Sequence, residues 1–134
     1  MTDNSEIIID LNGRVILIAE DIDLNYYFVE RILGKTKATI LWAQNGDEAV
    51  KLCKKHDNIE LVIMDIQMPI LNGWEATKQI KQFLDIPVIA LTAYALSNEE
   101  EKSYEAGCDG FLTKPVKSQV LLSVLEKHLC PAKS

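Results

Sequence analysis

Five short apolar runs alternate along the chain with five longer segments of helical periodicity. The apolar runs are rich in aliphatic and β-branched residues and stop abruptly at polar ones: Arg14–Ala19, Ala38–Trp42, Leu61–Met64, Val88–Leu91 and Gly110–Thr113. The segments that follow them predict helices over Leu24–Leu33, Gly46–Lys55, Gly73–Phe83, Asn98–Ala106 and Ser118–Leu129. This alternation predicts a doubly wound α/β fold, in which helices cover both faces of a five-stranded parallel sheet.

The length and charge of the chain exclude several classes of protein. Its 134 residues, 48% of them hydrophobic, suffice for one core. We therefore expect one domain over residues 14–130, with an N-terminal tail at 1–13 and a C-terminal tail at 131–134. The formal net charge of -6 disfavours binding of nucleic acid or an anionic membrane through the overall electrostatic field.

The cysteines and the apolar segments bear on the compartment. Three cysteines form no CxxC pair and have no histidine at zinc-site spacing, which favours reduced, buried thiols over a metal site: Cys53, Cys108 and Cys130. The N-terminus is acidic, and no apolar run approaches the roughly 20 residues of a membrane span. We expect a cytoplasmic protein that is not inserted in a membrane.

Polar side chains with complementary chemistry follow four of the predicted strands. Glu20 and Asp21 follow the first strand, Asp65 the third, Thr92 the fourth and Lys114 the fifth. In open parallel sheets the functional groups lie beyond the carboxyl ends of the strands. Three carboxylates, a hydroxyl and an ammonium group are therefore expected at one edge of the sheet.

This set of groups suits phosphoryl transfer. Three neighbouring carboxylates repel one another unless a cation lies among them, and Mg²⁺ is favoured over Ca²⁺ because it needs fewer protein oxygens. Two carboxylates can hold the metal while Asp65 keeps an oxygen free to attack phosphorus. Lys114 and Thr92 would neutralise and hydrogen-bond the transferred phosphoryl oxygens. The hypothesis is a phosphoryl acceptor with Asp65 as nucleophile.

Each of these residues alone has an ordinary explanation. The acids of 20–23 could complement a helix dipole, Asp65 could be a loop residue, Thr92 a satisfied hydroxyl and Lys114 a solvated lysine. Because all these residues occur at four strand ends of one sheet, a shared site is favoured over four separate ordinary explanations. A flavin or nucleotide site would need phosphate-binding backbone donors where this chain has acids. An aspartyl phosphatase would have a second acid at Gln67.

Four stretches resemble the receiver family of two-component signalling, over about Arg14 to Leu129. They are Val15–Asp21 with Asn25, Leu61–Pro69 with Asn72 and Gly73, Ile89–Ala93, and Ala106–Pro115. The resemblance implies a flavodoxin-like receiver fold with strand order 2-1-3-4-5. It also implies phosphorylation of Asp65, with Mg²⁺ bound directly by Asp21 and Asp65, through water by Glu20, and by the backbone carbonyl of Gln67.

The resemblance further implies that Thr92 and Lys114 contact the phosphoryl group and that a cis peptide bond precedes Pro115. Phe111 stands where relatives often have tyrosine, so a switch must rest on packing. We expect phosphorylation to pull Thr92 inward and let Phe111 fill the vacated space, which would change the surface of the fourth helix, fifth strand and fifth helix.

Three further positions bear on the phosphorylation chemistry. Glu20 stands where many relatives have aspartate, and it still reaches a metal-bound water. Gln67 and Tyr94 stand at positions that resemble those shaping water access to the phosphoryl group, although Tyr94 could equally be a partly exposed loop aromatic. All five acceptor-site groups are present, which disfavours a degenerate receiver that acts only as a binding module.

The first helix carries more apolar surface than one core stripe needs. An apolar patch beside the acceptor would dock a sensor histidine kinase or a histidine phosphotransfer domain, although the aromatic residues could instead cover the sheet edge. We expect a phosphoacceptor that catalyses only its own phosphorylation and dephosphorylation, and so is not an enzyme in the usual sense. It is either a single-domain regulator or the receiver of a longer protein such as a hybrid histidine kinase, and a phosphorylation-dependent homodimer is left open.

Overall fold

The computed structural model describes residues 7–93 and 98–130, which form a five-stranded parallel sheet with five helices. The strands lie in the order β2-β1-β3-β4-β5. Their bounds are β1 Val15–Ala19, β2 Thr39–Ala43, β3 Ile59–Asp65, β4 Val88–Thr92 and β5 Gly110–Thr113. The helices are α1 Asp23–Gly34, α2 Gly46–Lys55, α3 Gly73–Lys81, α4 Glu99–Glu105 and α5 Ser118–Leu129. The predicted fold class and strand order are confirmed.

Apolar side chains of the central strand β1 enter two separate cores. Ile16 and Ile18 pack with α1 and α5 on one face of the sheet, whereas Val15, Leu17 and Ala19 pack with α2 and α3 on the other face. Successive side chains of a strand point to opposite faces, so a strand buried on both sides must be apolar throughout. The continuous run Val15–Ala19, buried at every position, meets that requirement.

Local signals fix where two helices begin. The side chain of Asn45 accepts a hydrogen bond from the Glu48 amide at 2.8 Å, and the side chain of Asn72 accepts one from the Glu75 amide at 3.0 Å. Asparagine caps of this kind satisfy amides that the first helical turn leaves without partners. They fix the starts of α2 and α3 where the sequence predicts them.

Several element boundaries differ from the predicted ones by one or two residues. β3 begins at Ile59 rather than Leu61, because the partly buried Glu60 continues the strand and its carboxylate pairs with Arg14. α3 ends at Lys81 rather than Phe83, since the Gln82 amide turns back to the Gln79 carbonyl at 3.1 Å. Shifts of this size at element ends leave the topology unchanged.

The segment that precedes β1 packs against the body of the domain. The sequence predicts a tail at residues 1–13, yet Ile9 and Leu11 are buried in the core beside α1 and α5. The Leu11 amide donates to the Thr36 carbonyl at 2.6 Å, and the Ile7 amide donates to the Gln119 side chain at 2.7 Å. From Ile7 onward this segment is therefore part of the folded unit.

None of the helices among the described residues is both long and apolar enough to cross a lipid bilayer.

Replacing Leu11 with alanine should lower the free energy of unfolding by about 2–5 kcal/mol, because it removes a fully buried side chain and leaves a cavity. Urea denaturation measures the effect. Ile8→Ala is the matched control: Ile8 is 83% exposed, and its replacement should change stability by no more than about 0.5 kcal/mol. Equal losses in the two variants would contradict the burial of Leu11.

Candidate functional site

The carboxyl ends of the strands bring the predicted polar residues together. Asp65 and Thr92 are the last residues of β3 and β4, while Glu20 and Lys114 directly follow β1 and β5. Backbone hydrogen bonds extend the sheet past these ends: the Glu20 amide donates to the Ala43 carbonyl at 2.9 Å, and the Lys114 amide to the Thr92 carbonyl at 2.7 Å. The sheet itself therefore sets the spacing of the site residues.

Three carboxylates form the centre of the site. One oxygen each of Glu20, Asp21 and Asp65 lies within 4.8 Å of the others. The Lys114 ammonium group opposes them, with its Nζ 2.8 Å from Glu20 Oε1 and 3.4 Å from Asp65 Oδ2. A lysine that faces three carboxylates leaves net negative charge in a largely buried position, which is costly without a further cation.

Burial and repulsion perturb Asp65. The side chain is almost completely buried, and desolvation, followed by the charge of Glu20, raises the pKa of Asp65 from its ordinary value near 3.8 to about 7. Lys114 and a hydrogen bond from the Gln67 amide to Asp65 Oδ1 at 3.2 Å act in the opposite direction. A divalent ion beside the carboxylates would favour the ionised, nucleophilic form.

The donor set fits a hard divalent cation. Within the described parts of the chain, Asp21 Oδ1 is a buried oxygen that accepts no hydrogen bond, and Glu20 Oε1 has only its ionic contact with Lys114. Oxygens left in this state are what Mg²⁺ coordinates, together with water and a phosphate oxygen. Asp21 and Asp65 are the proposed direct ligands, and the ligand roles of Glu20 and the Gln67 carbonyl also remain predictions.

Two aromatic residues that the sequence analysis did not single out hold the acidic loop. The Trp42 indole donates a hydrogen bond to the Glu20 carbonyl at 2.9 Å. The Tyr26 ring stacks on Trp42 with centroids 3.8 Å apart and planes 6° from parallel. An indole with its N–H bonded and its face covered is well restrained. Trp42 thereby fixes the backbone that carries Glu20 and Asp21.

A close backbone approach fixes the loop after Asp65. Gly73 begins α3, its amide donates to the Ile66 carbonyl at 2.8 Å, and a Cβ at this position would collide with the Asp65 carbonyl oxygen. Only glycine permits this approach. The Asn72–Gly73 pair therefore both starts α3 and positions Asp65.

Thr92 has a buried acceptor that the sequence did not indicate. Its Oγ1 donates to Glu99 Oε1 at 2.7 Å, and both residues are buried. Glu99 is the first of three consecutive glutamates, and nothing in the local sequence distinguishes it from Glu100 and Glu101, which are exposed. Only the packing of α4 against the sheet selects it.

The other residues that the sequence predicts for the site lie in different surroundings. Phe111 is partly buried on β5 opposite Ala90, and it packs on the core that α2 and α3 cover. Gln67 is exposed beside the acceptor. Tyr94 lies outside the described residues. The Lys114–Pro115 peptide bond is cis, as the resemblance implies.

An open cleft of about 670 Å³ adjoins the site. Glu20 and Lys114 line part of it, together with residues of β4 and of the segment after β5, and α1 contributes exposed apolar side chains, among them Leu24, Tyr27 and Phe28. Leu24 is 78% exposed. Part of the apolar surface of α1 therefore faces outward beside the acidic cluster, while Tyr26 covers the sheet edge by stacking on Trp42. Docking of a partner on the outward side chains stays a prediction.

Comparison with known families gives a consistent result. A family model described as the response regulator receiver domain matches residues 16–126. Hybrid signal transduction histidine kinase I of Dictyostelium discoideum is 35% identical over 124 residues, which cover 86% of this chain but 7% of that protein. The response regulator DivK of Brucella anthropi is 32% identical over 119 residues, covering 87% of this chain and 96% of DivK. The chain thus spans nearly all of one relative and a small part of the other.

Solved structures agree. One is the receiver domain of Ssk1 in complex with the histidine phosphotransfer protein Ypd1 of Saccharomyces cerevisiae, with a TM-score of 0.81, 32% identity, and coverage of 87% of this chain and 89% of that one. Another is the receiver domain of sensor histidine kinase PA1611 of Pseudomonas aeruginosa, which has a magnesium ion coordinated in its active site cleft. Its TM-score is 0.78 at 29% identity, with coverage of 86% of this chain and 96% of that one.

The raised pKa of Asp65 predicts a pH-dependent stability in the absence of divalent ions. Between pH 4 and 7 the folded state holds a proton on Asp65 that the unfolded chain has released, so stability should fall as pH rises through this window, by at most about 1.4 kcal/mol per pH unit. Urea denaturation in the presence of a chelator measures the free energy of unfolding at each pH. Subtracting the profile of Asp65→Asn isolates the contribution of the Asp65 carboxyl group. Saturating Mg²⁺ should restore stability at pH 7 in the parent but not in the variant, and equal pH profiles of parent and variant would contradict the account.

Proposed function

Because the chain belongs to the response regulator receiver family, we propose that Asp65 accepts a phosphoryl group from a phosphohistidine in a Mg²⁺-dependent reaction. The family's place in two-component signalling gives the reaction class. The observation that carries the residue assignment is the meeting of three carboxylates within 4.8 Å opposite Lys114. The choice of Mg²⁺ as the ion is supported by this donor set and by the magnesium-bound PA1611 receiver.

The proposed chemistry is an in-line displacement. A carboxylate oxygen of Asp65 forms a bond to phosphorus while the phosphorus–nitrogen bond of the phosphohistidine breaks, and the imidazole leaves with the electron pair. Lys114, which bridges Glu20 and Asp65 in the resting state, is placed to shift onto a phosphoryl oxygen. When bound, Mg²⁺ would neutralise charge on the phosphoryl oxygens. The domain itself would catalyse only the formation and hydrolysis of its own aspartyl phosphate.

The proposed switch works through Thr92 and Phe111. An aspartyl phosphate carries roughly -1.5 to -2 charge, which lies in a buried pocket and attracts hydrogen-bond donors. Thr92 would turn its hydroxyl towards the phosphoryl group, and Phe111, which is only partly buried, would pack further inward. These movements would change the surface formed by α4, β5 and α5.

We assign the α1 side of the cleft to the phosphodonor. A histidine phosphotransfer domain or sensor kinase must bring its histidine to Asp65, and the apolar side chains of α1 flank that approach. The Ssk1 receiver, a structural relative, was crystallised with Ypd1. Ile70 adds an apolar side chain on the loop after β3: it is 80% exposed and held at φ 71°, a strained conformation for a β-branched residue.

The proposed compartment is the cytoplasm. Cys53 and Cys108 are free and buried, and burial raises the pKa of Cys53 to about 12 and that of Cys108 to about 11. Thiols of this kind are inert and typical of reducing compartments.

Incubation with acetyl phosphate and Mg²⁺ should add one phosphoryl group to the parent and none to Asp65→Asn, as read by intact-protein mass spectrometry. Lys114→Ala should show a large loss of labelling, because it removes the cation that faces Asp65. Chelator should abolish labelling of the parent. Release of free phosphate without a bound adduct would indicate a phosphatase instead.

Leu24→Asp should slow phosphorylation by phosphorylated Ypd1 by about tenfold, since it places a charge in the apolar docking surface. The change suits the first turn of α1, where an acidic residue favours the helix dipole, so the fold should be retained. Val120→Asp makes the same change in the first turn of α5 at a side chain that is 43% exposed, and should leave the rate unaltered. Labelling by acetyl phosphate should be equal in all three proteins, and a loss there would refute a docking role.

A further inference from the structure

Thr92 is connected to α4 and α3 by a largely buried chain of hydrogen bonds. Its hydroxyl donates to the Glu99 carboxylate at 2.7 Å, the Ser103 hydroxyl donates to the Glu99 carbonyl at 2.8 Å, and the Trp74 indole donates to Ser103 Oγ at 2.9 Å. Thr92 and Ser103 are fully buried, and Glu99 is 7% exposed. A buried glutamate on a short helix whose other glutamates are exposed has a specific partner to keep.

We propose that Glu99 is a positioning residue that holds the Thr92 hydroxyl in the resting domain and opposes its transfer to the phosphoryl group. The inference rests on the proposed function, in which Thr92 contacts the phosphoryl oxygens. A threonine hydroxyl has one proton to donate. The carboxylate of Glu99 and the phosphoryl group on Asp65 therefore compete for the same hydrogen bond.

The competition has a structural consequence for α4. If Thr92 turns to the phosphoryl group, Glu99 loses a charge-assisted donor in a buried position, which is unfavourable. The carboxylate must then leave its site, and since Glu99 is the first residue of α4, the start of that helix moves with it. Ser103 and Trp74 bind the same turn, so the change is transmitted to α3. Glu99 thus opposes the movement of Thr92 towards the phosphoryl group. It also makes α4 the helix that moves when Thr92 turns.

Beryllofluoride with Mg²⁺ serves as the phosphoryl analogue, and its affinity is measured by tryptophan fluorescence. Glu99→Gln keeps the size of the side chain but offers Thr92 a neutral acceptor, so the analogue should bind about fivefold more tightly. Glu101→Gln is the matched control: it removes the same charge from an exposed position on the same helix and should bind as the parent does.

A second set of variants, made in Thr92→Val, distinguishes the effect of losing the hydrogen bond from the effect of removing a charge. In Thr92→Val no hydroxyl is available, so adding Glu99→Gln should change the affinity by less than roughly twofold. Glu99→Asp, which keeps the charge and shortens the reach to Thr92, should tighten binding in the same direction as Glu99→Gln. It also serves if the glutamine variant does not fold, as judged by thermal melting.

Two results would overturn the inference while leaving the proposed function intact. One is an unchanged or weaker affinity in both Glu99 variants. The other is an equal gain from Glu99→Gln in the parent and in the Thr92→Val background, which would mean a long-range charge effect. Absence of any Mg²⁺-dependent beryllofluoride binding by the parent would instead refute the proposed function, and this inference with it.

Discussion

The concentration of negative charge at the carboxyl edge of the sheet is the constraint on which the rest of the structure depends. Glu20, Asp21 and Asp65 are brought within 4.8 Å of one another by strands whose positions the two cores fix, and Lys114 neutralises only part of their charge. Such a cluster is stable only where a cation or a proton joins it, which is why burial raises the pKa of Asp65. The same electrostatic imbalance suits an acceptor whose reaction needs a metal.

The groups around this cluster act mainly to hold it in place. Trp42 fixes the backbone at Glu20, and Gly73 allows α3 to begin directly against the Asp65 carbonyl. Thr92 is restrained from the far side by Glu99. Reactive groups held by such a supporting layer keep their geometry without the ligand, and the few contacts that must change on phosphorylation are then well defined. In this domain the proposed change begins with the hydrogen bond from Thr92 to Glu99 and with the packing of Phe111.

The sequence predicted the fold, and it predicted which polar groups meet at the strand ends, for identifiable reasons. Strands such as Val15–Ala19 are apolar throughout because both faces of the sheet are covered, and the asparagine caps at Asn45 and Asn72 mark helix starts locally. The strand order came from resemblance to a family, since alternation alone does not fix it. The supporting residues could not be identified from the sequence, because their roles depend on contacts between distant segments. In the sequence Trp42 is one residue of an apolar run, and Glu99 is one of three consecutive acids.

By itself the sequence determined which chemical groups end each strand, because strand ends are set by local composition and the groups follow directly. Only the tertiary structure decided which neighbours those groups have. It buried Glu99 rather than Glu101 against Thr92, and it drew Leu11 into the core from a segment that looked like a tail. Burial and pairing depend on how the helices pack across the sheet, and that packing is a property of the whole fold rather than of any short stretch of residues.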